Sequence, residues 1–207
     1  MSMERASGEQ IRAKVEKATV FAEKIWNRHI RFIGISGSVS YTPKPEDDID
    51  IFIITQNGWL WPELLWAFLV RRTRHMAEIC LSLSLDQRSA VILFQNLTPL
   101  QAKDAEHVIP IKGDLFYINL LQGRVISGQP SSNTTGRKSG VTLMHAVNRF
   151  IFYILFPFQK LKEIRFNSML SSNELELAYH VVMDPGRLIL DTEKYRRLSK
   201  YSGEGDD

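Results

Sequence analysis

The segment Arg31-Phe32-Ile33-Gly34-Ile35-Ser36 runs straight into Gly37-Ser38. Nine residues later the chain reaches Asp48-Ile49-Asp50, followed at once by Ile51-Phe52-Ile53-Ile54. Both flanks read as strands, because each is a short, isoleucine-rich run bounded by turn-forming residues. Side chains alternate along a strand, so Asp48 and Asp50 share one face while Ile49 and Ile51 share the other. Two carboxylates on one face can share a hard divalent cation, and a glycine-led turn lets a phosphate approach backbone amides. The apolar character of residues 51–54 on both faces points to a central strand covered on two sides.

Working outward, residues 9–28 carry Ile11, Val15, Val20 and Ile25 around one helical face, with lysines and glutamates around the other, which predicts a first helix feeding the strand at 31–36. Residues 37–47 contain Gly37, Pro43, Pro45 and consecutive acids, and are expected to form a loop with room for one helical turn after Ser38. Asn57-Gly58 marks a turn, and the tryptophan-rich stretch from Trp59 to Met76 reads as a buried helix ending in Arg71, Arg72, Arg74 and His75, cations that suit a helix C-terminus. Residues 79–85 alternate Leu81, Leu83, Leu85 with Ser82 and Ser84, the pattern of a half-buried strand, and a turn at 86–89 followed by the apolar run 90–95 predicts a hairpin. Thr98-Pro99 is a helix start, with threonine as cap and proline in the first turn. Residues 114–122 are expected to add a short helix.

The stretch 128–140 is rich in Gly, Ser, Thr and Asn and divides the chain. The expected organisation is a domain over 1–127, a loop or linker over 128–140, a C-terminal helical region over 141–202 with helices at 141–163, 172–181 and 186–200, and a disordered tail at 203–207. The fold class is mixed α+β: a small mixed sheet with helices on one face, followed by that helical region.

Composition bounds the rest. With 207 residues and 44% hydrophobic composition the chain can bury a full core, and 26 basic against 23 acidic residues leave a formal charge of +3, too small to argue for nucleic acid. Cys80 is the single cysteine, which excludes an intrachain disulfide framework and any multi-thiolate zinc site and suits a reducing, cytoplasmic setting. The first twenty residues mix charges with apolar positions, unlike a secretory signal, so the mature start is expected near Met1. The apolar stretches 59–70 and 150–158 are shorter than the roughly 18 residues a membrane span requires and are expected to be buried helices, their aromatic residues Trp59, Trp61, Trp66, Phe150, Phe152 and Phe156 lying in the core. His107, His145 and His180 lack ligand spacing.

The apolar residue, Gly37-Ser38, nine-residue gap and Asp48-Ile49-Asp50-Ile51 together resemble the signature of the DNA polymerase beta-like nucleotidyltransferase superfamily, of the minimal nucleotidyltransferase type. That resemblance implies that Asp48 and Asp50 bind Mg²⁺ or Mn²⁺. It implies that Gly37, Ser38 and Ser40 contact the phosphates of a nucleoside triphosphate, and that a hydroxyl acceptor (protein, RNA or small molecule) receives the nucleoside monophosphate as pyrophosphate leaves. Members of the superfamily commonly follow Gly-Ser with a small residue, an arginine and a glycine. Here the stretch is Val39-Ser40-Tyr41-Thr42. Transfer-competent members add a third carboxylate from a later strand, for which Asp86 is the nearest candidate by alternation with Ser82 and Ser84. Without that carboxylate, the same resemblance describes a nucleotide-binding or partner-binding, antitoxin-like protein that catalyses nothing.

Overall fold

The computed structural model describes residues 2–41, 44, 47–125, 138–170 and 176–201. Its centre is a six-stranded mixed sheet, and the fold is mixed α+β as the element pattern predicts. Helix α1 (Ser2–Ile25) leads into β1 (Ile30–Ser36), a 3₁₀ turn over Gly37–Ser40, and β2 (Ile49–Thr55). Strand β1 runs antiparallel to β2, with Ser36 opposite Asp50. Helix α2 (Leu60–Thr73) then crosses over to β3 (Ile79–Asp86), which is parallel to β2. A crossover of this length is what a parallel pair requires.

Of the four residues read as the apolar face of the first helix, Ile25 is buried and Val15 packs against the core, but Val20 is 42% exposed. In α1, Ala18, Phe21, Ala22 and Ile25 are buried, the spacing of one helical face. They meet Leu60, Trp61, Leu64 and Ala67 of α2 and the strand residues Ile33, Ile35, Ile49, Ile51 and Ile53 in the main core. The opposite sheet face carries Phe32, Phe52, Ile54 and Leu85 in a second, smaller cluster. Both faces of β2 are therefore covered, as its isoleucine-rich run requires. The long helices share the first face. The second is covered by α3 (Gln87–Phe94) through Ala90 and Val91, and by α5 (Asp114–Leu121) through Tyr117 and Leu120, so helices lie on both faces and not on one as expected.

Three further expectations need correction. Residues 90–95 are not the second strand of a hairpin: Asp86 ends β3 and its side chain accepts a hydrogen bond from Ser89 N at 2.8 Å, capping a helix over the same residues. A short apolar run is ambiguous between strand and helix, and here the cap decides. Between α4 (Pro99–His107), which has the expected Thr98 cap with Gln101 completing a capping box, and α5, the chain makes a short strand, β4 (Ile109–Lys112), beside β1. The sequence reading gave no strand there.

The largest correction concerns the C-terminal region. After α6 (Lys138–Asn167) the chain forms β5 (Tyr179–Asp184) and β6 (Arg187–Thr192), and only then α7 (Glu193–Tyr201), so β5 replaces the end of the helix expected over 172–181 and β6 the first part of the one expected over 186–200. The turn between them is Asp184-Pro185-Gly186, in which Gly186 N donates to Asp184 Oδ1 at 2.8 Å. Asp-Pro-Gly between two apolar runs is a hairpin signal with a mechanism, proline presetting φ and aspartate bonding forward along the backbone. Strand β6 pairs with β3, so the sheet order is β4-β1-β2-β3-β6-β5. The expected tail at 203–207, the prolines Pro43 and Pro45, and most of the stretch 128–140 lie outside the described residues.

Asn148 of α6 ties this hairpin to the rest. It is 3% exposed, its Oδ1 accepts from Trp61 N at 2.9 Å and its Nδ2 donates to Pro185 O at 2.8 Å, while Trp61 Nε1 donates to Asp184 O at 3.0 Å. Asn148→Leu would leave a buried donor and a buried acceptor unmatched. It is expected to cost about 2–4 kcal/mol in urea unfolding, and a loss below about 1 kcal/mol would mean that this junction does not hold the hairpin.

Candidate functional site

Asp50 sits at the start of the central strand β2, on the face that carries Phe52 and Ile54, beside the end of β1 where the chain turns at Gly37. Gly37 has φ +68, a left-handed conformation, and a Cβ built on it would overlap Asp50 Oδ2. Glycine is therefore required twice over: by the backbone dihedral and by the carboxylate lying against its backbone. Val39 anchors the 3₁₀ turn in the core at 1% exposure, and Ser40 Oγ donates to Gly37 O at 2.7 Å. Ser38 lies beside Asp47, and that contact, together with a stronger hydrogen bond from Lys44 N, holds the Asp47 carboxyl below its ordinary range. Asp48 is exposed, at the entrance to β2.

The neighbour of Asp50 on β3 is Cys80. Burial pushes the Asp50 carboxyl up to about 6. The Ser82 hydroxyl and the Cys80 thiol oppose that shift as hydrogen-bonding partners, and the charges of Asp48 and Asp47 add to it. Cys80 itself is pushed up to about 12, first by burial and then by the charges of Asp50 and Asp48, so its thiol keeps its proton and can donate. The groups that set the charge of Asp50 are thus two neutral donors and two further acids. An anion held in this way favours a proton or a cation.

Among the described residues no three His, Cys, Asp or Glu side chains converge to cage a metal. Mg²⁺ does not need such a cage, since it is commonly held by one or two carboxylates with waters and substrate phosphates completing the shell. Asp48 and Asp50 beside an accessible glycine turn fit that donor set.

Asp86 does not join them. It pairs with Thr55, at the opposite end of β2 from Asp50, about 16 Å away along the strand. Its carboxylate is committed to capping α3, and burial raises it from the ordinary carboxylate range. The β3 positions that flank Asp50 are Cys80 and Ser82, neither of them acidic.

A carboxylate the sequence reading missed lies one strand further on. In β6, Leu188 and Leu190 pack into the main core and Ile189 packs against the second cluster, so alternation directs Asp191 to the face of Asp50. It lies two strands from Asp50, since β3 separates β2 from β6. Burial raises its carboxyl, opposed by Arg196 and His180. The signal was the alternation of 187–192, obscured by reading that segment as a helix.

The same end of the sheet is closed by a tyrosine bridge. Asp104 of α4 accepts from Tyr41 at 2.5 Å and from Tyr195 of α7 at 2.6 Å, and Tyr41, directly after the 3₁₀ turn, stacks on His107 with ring centroids 4.3 Å apart. Burial and the Asp104 contact push the Tyr41 hydroxyl up to about 12. The turn that carries Gly37 and Ser38 is thereby fastened to two helices from distant parts of the chain. Arg71, by contrast, donates to Ala77 O at 2.9 Å beyond the end of α2, in keeping with a structural role.

Among the described residues no helix is long and apolar enough to cross a membrane. Comparison with known proteins found no match to this chain among family models, curated proteins or solved structures.

Proposed function

We propose that the protein is a metal-dependent nucleotidyltransferase that moves a nucleoside monophosphate from a nucleoside triphosphate to a hydroxyl acceptor, releasing pyrophosphate. The observation that carries this reading is the partly buried Asp50 carboxylate seated against the left-handed Gly37 turn, with neutral donors and further acids around it. Asp48 and Asp50 would hold Mg²⁺ or Mn²⁺, which when bound neutralises charge on the attacking and leaving oxygens. Gly37, Ser38 and the adjoining backbone would take the distal phosphates, where the missing Cβ allows close approach. Asp191, directed to the same sheet face by alternation, would accept the acceptor hydroxyl proton as the new oxygen–phosphorus bond forms.

A second reading is favoured by Cys80 and Ser82 standing beside Asp50 where an acid would be expected, and by the commitment of Asp86 to a helix cap. It is a binding-only, antitoxin-like protein of the same fold. Labelled nucleoside triphosphates with Mg²⁺, assayed for both binding and pyrophosphate release, separate the two. The transferase reading expects Asp50→Ala to lose binding and turnover together, and Asp191→Asn to bind normally while turnover falls about 100-fold or more. Binding without turnover in the wild type supports the second reading. Metal-independent binding that survives Asp50→Ala would sink both.

A further inference from the structure

Helix α6 is apolar on two opposite sides. Phe152 and the buried Asn148 face the main core, yet Phe150 is 67% exposed and Phe156 37%, so the aromatic cluster expected in the core is only partly there. Leu143, Phe150, Ile154, Leu161 and Ile164 are all exposed, at 47% to 67%. With Val147 and Pro157 between them they recur at alternating steps of four and three residues, along about 32 Å of helix. That is the spacing of a helix–helix seam rather than of a solvated face. Tyr153 and Phe158, 68% and 67% exposed, border it. A second apolar stripe on a helix is normally buried like the first.

We propose that this seam is the interface between two copies of the chain, packed antiparallel about a two-fold axis near Ile154. Area and charge both favour that occupant. The exposed portions of the seam and its two bordering aromatics sum to on the order of 900 Å², matching the roughly 800 Å² per partner of a standard interface and exceeding the few hundred Å² typical of patches on monomers. A two-fold axis lets one stripe bury itself against its own copy, with Leu143 meeting Ile164 of the second copy. A flanking cation decides the direction. Arg165, beside Leu161 and Ile164, would face its own copy in a parallel pair, whereas the antiparallel arrangement sets it by Leu143, away from lysine and arginine. Lys160 is moreover already engaged by Glu163 Oε2 and Val181 O, both at 2.7 Å. Like charges along a seam oppose pairing, so the antiparallel form is the favoured one.

Sedimentation equilibrium of the full chain over micromolar to submillimolar concentrations tests this. The wild type is expected to be dimeric. The double variant Phe150→Glu/Leu161→Glu is expected to dissociate on the order of 100-fold more readily while keeping its far-ultraviolet circular dichroism and melting transition, because both side chains are solvent-facing in the single chain. Register is read separately in a Cys80→Ser background: Ile154→Cys should cross-link to itself, and Leu143→Cys should cross-link to Ile164→Cys only when the two proteins are mixed. A wild type that stays monomeric throughout overturns the proposal. So does a dimer unaffected by the double variant, or cross-linking of Leu143→Cys with its own copy. Binding to anionic phosphatidylserine vesicles that the double variant loses, without self-association in solution, would assign the stripe to a lipid surface instead.

Discussion

Gly37→Ala is expected to destabilise the protein by about 2–4 kcal/mol and to abolish cation-dependent nucleotide binding. Two costs add. A non-glycine residue at φ +68 pays on the order of 1–2 kcal/mol for the left-handed backbone. The new Cβ would also overlap Asp50 Oδ2, which has to move off β1 or force the turn open. Gly123 supplies the control, since it too is left-handed, at φ +65, but a Cβ there meets nothing within 4 Å. Gly123→Ala should therefore show the backbone cost alone and leave binding untouched. The comparison is read by urea unfolding and by calorimetric titration with Mn²⁺ and a nucleoside triphosphate. Equal destabilisation by the two alanines would mean that the Gly37–Asp50 contact carries no energy, and the site built on it would lose its main support.

Asp50→Asn should behave in the opposite way when no divalent cation is present. The Asp50 carboxyl is raised from 3.8 to about 6 in the folded protein, so its contribution to stability is fully present below pH about 4 and is lost as pH rises through about 6. A difference of about two units corresponds to about 3 kcal/mol. Asparagine cannot ionise, and it still offers an oxygen to Ser82 and Cys80. In chelator at pH 8 the variant is accordingly expected to be more stable than the wild type by about 3 kcal/mol, with the two converging near pH 4. Adding Mg²⁺ at pH 8 should raise the melting temperature of the wild type and leave the variant unmoved. A variant less stable than the wild type in chelator at pH 8 would show that Asp50 is not a desolvated, unpaired anion.

The reach of sequence reasoning can be judged from particular elements. The boundaries of β1 and β2, the helical turn after Gly37 and the capped start of α4 are all local matters: alternation, a glycine, a threonine before a proline. Each depends on residues within a few positions of one another, so a linear reading suffices. The run 90–95 failed because a short apolar segment fits either secondary structure, and the deciding contact is the Asp86 side chain on Ser89 N. Residues 179–192 differ, since there the Asp184-Pro185-Gly186 turn is itself a local hairpin signal.

For the candidate site, local spacing was enough to expect the Asp48–Asp50 pair and to put Asp50 beside a glycine turn. It could not say which later strand lies next to β2, because strand order is set by which apolar faces bury together across the whole chain. That order places Cys80 and Ser82 beside Asp50, sends Asp86 to the far end of the sheet, and brings Asp191 from more than a hundred residues away onto the same face. The outward seam of α6 has the same origin. Its hydrophobic repeat is legible in the chain, but which of its two apolar sides meets the core is decided only when Asn148 and Phe152 find Trp61. Short-range chemistry thus wrote the loop and the carboxylate pair, and long-range burial chose their neighbours.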